Sequence, residues 1–153
     1  SETARIPCRT ANVINRKGPP MNREIYVNLP VKDLQRSMTF YQALGFAVNP
    51  DYTNDKAAGM IVDRNIYVML LSEPFFQTFT RKPVCDGSRQ TEVINCLSCA
   101  SREEVDATVA KARAAGGAVP REATVHGVMY LHAFEDPDGH IWELVHGDPH
   151  EAP

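Results

Sequence analysis

One carboxylate interrupts an apolar segment near the end of the chain. The sequence AFEDPDGHIWEL, residues 133–144, predicts a strand, a tight turn and a second strand that contains Glu143. A buried charge is costly unless it is paired, hydrogen-bonded or bound to a metal. Glu143 is therefore a candidate catalytic residue, as a metal ligand or as a general base with a raised pKa. Alternatively, it is a buried acid that shapes a pocket by hydrogen bonding to Tyr26 or Asn28.

The cysteines predict neither a zinc site nor a disulfide. Cys96 and Cys99 form a C-x-x-C motif, but residues three apart on a strand point to opposite faces of the sheet. No second C-x-x-C motif is present to complete a zinc site. Four cysteines in 153 residues are also too few for a disulfide scaffold, so we expect a reduced, cytoplasmic protein.

The histidines are concentrated at the end of the chain, beyond residue 125. They are His126, His132, His140, His146 and His150. His140 and His146 lie an odd number of residues from Glu143, so we expect them to point away from its face, outside or at a subunit edge. His132 belongs to the neighbouring strand, and His126 is expected in a loop. The first half of the chain therefore offers no imidazole to a metal site.

The composition is that of one globular domain. The chain has 153 residues, of which 43% are hydrophobic and 23% charged, and its formal net charge is -3. This charge gives no basic footprint for nucleic acid, and no apolar run approaches the roughly 20 residues of a membrane span. Neither nucleic acid nor a membrane is expected as a partner. Residues 1–22 lack periodicity and are interpreted as an N-terminal arm or upstream sequence, and residues 148–153 as a tail.

Residues 23–80 have the pattern of a β-α-β-β-β module. EIYVNLPV is β-branched and apolar, which predicts a strand, and VKDLQRSMTFYQALGF has the apolar spacing of a helix. Asp33 is a good N-cap for this helix, and Gly45 is a suitable residue to end it. FAVNP, AAGMIVD and IYVMLLS predict the three strands that follow.

The same pattern repeats in residues 91–147. TEVINCLSCA predicts a strand, and Ser101 and Glu104 have capping-box spacing at the start of a helix. AVPREATV, VMYLHAF and HIWELVH predict three more strands, with a type I turn at DPDG. Between the modules lies a predicted linker whose helical turn buries Phe75, Phe76 and Phe79. The predicted fold class is α+β, with two paired β-α-β-β-β modules that form an eight-stranded cup with helices outside.

The order of these motifs resembles the vicinal oxygen chelate superfamily, which includes glyoxalase I, extradiol dioxygenases, and the fosfomycin and bleomycin resistance proteins. The resemblance is carried by VNLPVKDLQRSMTFYQALGF, by FEDPDGHIWEL, and by the paired modules over residues 23–147. The glyoxalase-like branch of predicted lactoylglutathione lyases is the most similar. The resemblance implies a single domain with the glyoxalase-like fold over residues 23–147. It also implies a homodimer, since the superfamily commonly pairs modules across subunits.

The family fold implies a divalent metal in the cup, bound by residues of the first, fourth, fifth and eighth strands. These positions fall on Tyr26, Met69, Ile94 and Glu143. Tyrosine needs a strongly lowered pKa to bind a metal, methionine is a soft ligand, and isoleucine is none. Since only Glu143 is retained, we expect no metal or other cofactor at these positions. A divalent metal remains as the alternative, through a displaced site that uses Glu92 and Glu143.

Strand alternation places six further side chains on the inward faces together with Glu143. These predicted ligand-binding residues are Tyr26, Asn28, Tyr67, Met69, Glu92 and Ile94. Ligand pockets are mainly apolar and contain a few convergent polar groups, and this set has that character. It therefore predicts a small-molecule cavity in the cup.

The leading hypothesis is a glyoxalase-like protein that binds a small organic molecule in the cup without the family's usual metal site. The alternative is a divalent-metal-dependent lyase, isomerase or dioxygenase with rearranged ligands that include Glu143. A third hypothesis is metal-free acid–base catalysis by Glu143 with Tyr26. Whether the protein is an enzyme is left open. Lactoylglutathione lyase activity is not expected, because that chemistry needs a metal to stabilise the enediolate.

Overall fold

A computed structural model describes residues 22–147. The predicted tail and all but the last residue of the predicted arm lie outside this range, so these domain boundaries stay predictions. Between residues 22 and 147 no helix has both the length and the apolar character needed to cross a membrane.

The first module contains four strands and one main helix. Its elements are β1 (Ile25–Val31), α1 (Leu34–Ala43), β2 (Ala47–Asn49), a 3-10 turn (Pro50–Tyr52), β3 (Ala57–Asp63) and β4 (Ile66–Ser72). The strands form one sheet in the order β1-β4-β3-β2. Strand β1 runs parallel to β4, and the other neighbours are antiparallel.

The second module repeats this arrangement after a short helix and a linker. Its elements, with the short helix first, are α2 (Glu73–Gln77), β5 (Ile94–Ser98), α3 (Arg102–Ala114), β6 (Thr124–His126), β7 (Met129–Glu135) and β8 (Ile141–His146). The strand order is β5-β8-β7-β6, and β5 is parallel to β8. The predicted α+β fold class, with two β-α-β-β-β modules and eight strands, is confirmed.

Both predicted helix starts form as the sequence indicates. The side chain of Asp33 accepts a hydrogen bond from the backbone N–H of Arg36 at 3.0 Å. The Ser101 hydroxyl accepts from the Glu104 N–H at 3.0 Å, while Glu104 Oε2 accepts from the N–H of Ala100 at 2.5 Å. These bonds satisfy backbone donors that a helix start leaves without intrahelical partners.

The two modules share one core on the helix side of their sheets. Phe40 and Tyr41 of α1 are fully buried together with Phe134 and Trp142 of the second sheet. The ring centroids of Tyr41 and Trp142 are 6.2 Å apart in an edge-on arrangement, and Trp142 Nε1 donates to the Tyr41 hydroxyl at 2.9 Å. The two long helices, α1 and α3, both lie on this shared side, so the opposite side of each sheet is covered by neither of them.

We call these opposite sides the first and second helix-free faces. In β1 and β4, Leu29 and Val68 enter the core, so the alternate residues form the first helix-free face: Tyr26, Asn28, Tyr67 and Met69. In β8, Trp142 and Leu144 enter the core. The second helix-free face therefore carries Ile94, Cys96, Ile141 and Glu143, which are paired across β5 and β8.

Two local predictions are wrong. Phe79 is 69% exposed, because α2 ends at Gln77 and leaves this ring beyond the helix. The predicted strand AVPREATV is reduced to Thr124–His126, with an isolated bridge between Ala118 and Glu135. Pro120 interrupts this segment, since proline has no N–H to donate to a strand ladder.

Candidate functional site

Two tyrosines stack on the first helix-free face. Tyr26 and Tyr67 are register partners, and their ring centroids lie 4.8 Å apart with ring planes at 13°. The Tyr26 hydroxyl donates to Glu24 Oε1 at 3.2 Å, and the Tyr67 hydroxyl donates to the carbonyl oxygen of Arg64 at 3.1 Å. The face therefore has an aromatic wall with a carboxylate beside it.

Both phenols stay protonated near neutral pH. Desolvation, followed by the negative charge of Glu24, raises the pKa of Tyr26 above its ordinary value of 10.0. Glu24, followed by desolvation, also raises the pKa of Tyr67. A neighbouring carboxylate disfavours a second negative charge, so the phenolate forms are suppressed. The two hydroxyls are hydrogen-bond donors and are poorly suited to act as bases or anionic ligands.

The tyrosines line a cavity of about 300 Å³, which we call the aromatic cavity. Its described lining residues are Glu24, Tyr26, Asn49, Tyr52, Gly59, Met60, Tyr67 and Met69. A side chain at Gly59 would meet Tyr52 Cβ at 2.9 Å, so the absence of a side chain there leaves room for Tyr52. Of the predicted pocket residues, Tyr26, Tyr67 and Met69 lie together here.

A second cavity of about 380 Å³ lies between β1, the start of β8 and the linker between the modules. We call it the linker cavity. Asn28 and Glu92, two further predicted pocket residues, line it together with Lys82, Cys85 and His140. The predicted single pocket is therefore divided, because Asn28 and Tyr26 share a face but line different cavities.

An ion pair joins the linker to the first module beside the linker cavity. Lys32 Nζ donates to Asp86 Oδ1 at 3.3 Å, and the Ser88 hydroxyl and N–H donate to the same oxygen at 2.7 and 3.0 Å. These hydrogen bonds, with those of Ser88 the strongest, lower the pKa of Asp86 to about 2. The carboxylate therefore stays ionised over the physiological range, and its half-exposed ion pair with Lys32 adds only a weak tie between the linker and the first module.

The histidines do not gather around Glu143. His140 Nε2 lies 2.7 Å from the carbonyl oxygen of Pro30, so His140 bridges the two modules and is not at the outside as predicted. His146 Nδ1 lies 3.0 Å from the carbonyl oxygen of Cys99. His126 ends strand β6 and is not in a loop, His132 lies in β7 as predicted, and His150 lies outside the described residues.

Glu143 and Ile94 lie on the second helix-free face and line neither cavity. The Glu143 carboxylate makes no hydrogen bond or ion pair with any residue between 22 and 147. The hydrogen bond to Tyr26 or Asn28 considered above is not formed, since Tyr26 donates to Glu24 and the Asn28 amide donates to the Tyr26 carbonyl oxygen at 3.3 Å. Within one chain, Glu143 and Tyr26 therefore do not form an acid–base pair.

Sequence comparison decides the family. Residues 25–144 match the model of the Glyoxalase/Bleomycin resistance protein/Dioxygenase superfamily. The chain belongs to this superfamily. The resemblance inferred from the motifs and the glyoxalase-like fold are thereby confirmed. Among curated proteins, no significant match was found.

Solved structures of the superfamily fold support this assignment. A hypothetical protein from S. aureus is 34% identical, with a TM-score of 0.70 over 82% of this chain and 94% of that chain. A glyoxalase-related enzyme from Fulvimarina pelagi is 22% identical, with a TM-score of 0.69 over 83% and 89%. A fosfomycin resistance protein from Listeria monocytogenes is 21% identical, with a TM-score of 0.59 over 83% and 94%. The last two show similarity of fold alone.

The described residues do not fit the divalent metal that the superfamily fold implies. At the four superfamily positions, Ile94 has no donor atom, Met69 offers a thioether, and the phenol of Tyr26 is held protonated beside Glu24. Between residues 22 and 147 no three His, Cys, Asp or Glu side chains are grouped to bind a metal ion. The displaced alternative gains no support either, because Glu92 lines the linker cavity and Glu143 does not.

Sequence reasoning missed five of the described lining residues of the aromatic cavity, and Glu24 and Tyr52 are the two that matter most for its chemistry. Glu24 lies two residues before Tyr26, so strand alternation could have placed it on the same face. Tyr52 belongs to the 3-10 turn after β2, and no periodicity indicates where its ring points. Both residues line the cavity with the predicted tyrosines.

Proposed function

We propose that this protein binds a small organic molecule on its helix-free faces, without a metal at the four superfamily positions. The observation that carries the proposal is the aromatic wall of Tyr26 and Tyr67. Tyr26 occupies the β1 position at which the resemblance places a metal ligand. A stacked, protonated tyrosine offers a flat apolar surface and a hydroxyl donor, which suit an organic molecule better than a metal ion.

The polar groups on the two faces support the same proposal. The linker cavity offers the Asn28 amide and the Glu92 carboxylate, and the aromatic cavity offers Glu24. The linker cavity is mainly apolar with a few polar groups, which is typical of ligand sites, where the polar groups fix the orientation of the ligand. We retain Glu143 as the candidate catalytic carboxylate of the second helix-free face, because no residue between 22 and 147 forms a hydrogen bond or an ion pair with its side chain.

Metal content is the first measurement that tests this proposal. Protein purified without an affinity metal, and then incubated with nickel, zinc, manganese or iron(II), is expected to retain far less than one metal ion per chain after gel filtration. Plasma mass spectrometry gives the ratio. A stoichiometric metal that is lost in Glu143→Gln and kept in the exposed control Glu122→Gln would contradict the proposal and favour the metal-dependent lyase, isomerase or dioxygenase.

We also propose that two copies pair, so that the first helix-free face of one subunit meets the second helix-free face of the other. In a single chain Tyr26 is 44% exposed and Ile94 is 53% exposed, and pairing would bury both. Light scattering after gel filtration is expected to give twice the chain mass of 17.0 kDa. Ile94→Glu is expected to lower this mass toward one chain, whereas Val125→Glu, at a 55% exposed position on β6, is expected to leave it unchanged. A wild-type monomer at micromolar concentration would contradict the pairing.

A further inference from the structure

The aromatic cavity has an unusual combination of rings and charge. Three tyrosines line it: Tyr26, Tyr52 and Tyr67. Glu24 is the only charged residue among the described lining residues, and no lysine, arginine or histidine is among them. Within one chain, the described lining therefore carries a single negative charge with no lining cation to neutralise it.

The Glu24 carboxylate lies among the phenol groups. Tyr26 donates to it at 3.2 Å, and its charge also contributes to the raised pKa of Tyr67. Tyr52 lies close enough to both other phenols to affect their titration. Since the phenols remain protonated, they contribute ring faces and hydroxyl groups but no further charge.

These groups attract positive charge by two routes. The faces of aromatic rings carry the negative part of a quadrupole, which binds cations in contact with the ring. A carboxylate nearby adds a direct Coulomb attraction. Met69 lies beside the tyrosines and adds an apolar, polarisable surface that suits alkyl groups.

A compact ammonium with carbon substituents matches this lining best. Its alkyl groups can contact the rings and Met69, and its charge lies close to Glu24 without needing several hydrogen-bond acceptors. A divalent metal ion favours several carboxylate oxygens, whereas Glu24 is the one carboxylate among the described lining residues. A carboxylate or phosphate ligand would be repelled by Glu24. The volume of about 300 Å³ is at the small end of the range for ligand pockets, which also favours a compact ligand.

We propose that the aromatic cavity is a binding site for an organic ammonium group, either as a small ligand or as the cationic end of a larger one. This inference rests on the proposed function, since it assigns a chemical class to the molecule bound on the first helix-free face. The ring faces of the tyrosines and the carboxylate of Glu24 are the groups that select the cation.

The test compares choline with 3,3-dimethylbutan-1-ol, which has the same shape but carries carbon in place of the charged nitrogen. Titrations of the full chain, followed by amide chemical shifts, are expected to give a dissociation constant at least about tenfold lower for choline. The shifts are expected at Tyr26, Tyr52 and Tyr67, and choline binding is expected to weaken as salt is raised. Equal affinities for the two probes, or shifts elsewhere on the protein, would overturn the inference.

Matched variants distinguish the contributions of the aromatic rings and of the Glu24 charge to choline binding from effects on folding. Glu24→Gln and Tyr52→Leu are expected to reduce the preference for choline to less than about threefold, whereas Tyr52→Phe keeps a ring face and is expected to retain it. Glu122→Gln removes an exposed carboxylate elsewhere and is expected to change nothing. Tyr52 is 58% exposed, so its replacement leaves the core intact. Unaltered choline preference in both Glu24→Gln and Tyr52→Leu would overturn the inference.

Failure of the inference and failure of the proposed function give different results. If a panel of neutral aromatic and aliphatic compounds shifts residues of either helix-free face while choline does not, the cation site is wrong and the proposed function stands. If neither choline nor any panel compound shifts these faces, both are wrong.

Discussion

Replacing Asp138 by alanine is expected to lower the free energy of unfolding by about 3 kcal/mol. Asp138 is only 6% exposed. Its Oδ1 accepts from the backbone N–H of Lys32 at 3.0 Å, and its Oδ2 accepts from the Ser37 hydroxyl at 3.1 Å. Alanine would leave both donors without this acceptor. The loss of one buried and one partly buried hydrogen bond to a charged group accounts for the size of the effect.

These contacts connect the two modules, because Lys32 and Ser37 belong to the first module and Asp138 to the second. Arg36 Nη2 also lies 3.4 Å from Asp138 Oδ1, but the arginine side chain is 47% exposed. An ion pair that is half in solvent contributes little, so Arg36→Ala is expected to cost much less than Asp138→Ala. The hydrogen bonds from the Lys32 N–H and the Ser37 hydroxyl to Asp138 are therefore the main polar link between the DPDG turn and the start of α1.

Urea unfolding monitored by Trp142 fluorescence measures the effect of Asp138→Ala. Asp138→Asn keeps an acceptor oxygen and is expected to cost less than the alanine variant. Asp55→Ala, at an exposed position, serves as a control and is expected to change the free energy of unfolding by less than about 0.5 kcal/mol. If Asp138→Ala were as mild as Asp55→Ala, the link between the modules would have to come from apolar packing and from the other hydrogen bonds between them, such as that of Tyr41 to Asp136.

The sequence identifies the DPDG turn but gives no reason for its aspartates to be buried. Asp136 Oδ1 accepts from the N–H groups of Asp138 and His140 within the turn, which local turn chemistry explains. Asp136 Oδ2 accepts from the Tyr41 hydroxyl at 2.6 Å, and burial keeps this hydroxyl protonated by raising the pKa of Tyr41 well above its ordinary value. Tyr41 lies 95 residues earlier, so no local pattern could predict this contact.

Strand alternation predicted the faces of Tyr26, Tyr67 and Glu143 correctly but not their partners, and it did not apply to Glu92, which lies before β5 begins at Ile94. Tyr26 and Tyr67 share a face and are register partners, and Glu143 lies opposite the core side chains Trp142 and Leu144. Alternation gives the face of a residue within its own sheet. It contains no information on which sheet faces which, and the proposed contact of Glu143 with Tyr26 depended on that arrangement. The division of the predicted pocket into two cavities has the same cause, since the linker that walls off Asn28 has no periodicity.

Gly139→Ala, also in the DPDG turn, is expected to lower the free energy of unfolding by about 2–3 kcal/mol. Gly139 has a φ of +88°, which side chains rarely adopt. A Cβ at this position would overlap the carbonyl oxygen of Gly87 and lie 2.6 Å from its carbonyl carbon and 2.8 Å from Ser88 Cα. These are backbone atoms, so the linker itself would have to move away from the turn.

Gly45→Ala is the control for Gly139→Ala, because it separates backbone strain from the clash. Gly45 has a similar φ of +102°, but a Cβ there would meet nothing within 4 Å. Only the conformational cost applies at Gly45, and about 1 kcal/mol is expected. Thermal and urea unfolding of both variants give the difference, which measures the close packing of the linker on the turn. Amide shifts of Lys32, Asp86 and Ser88 are expected to change in Gly139→Ala alone, because displacing the linker disrupts the hydrogen bonds of Asp86. Equal costs for the two variants would mean that the linker does not pack on the turn in solution, and the linker cavity would then lose one of its walls.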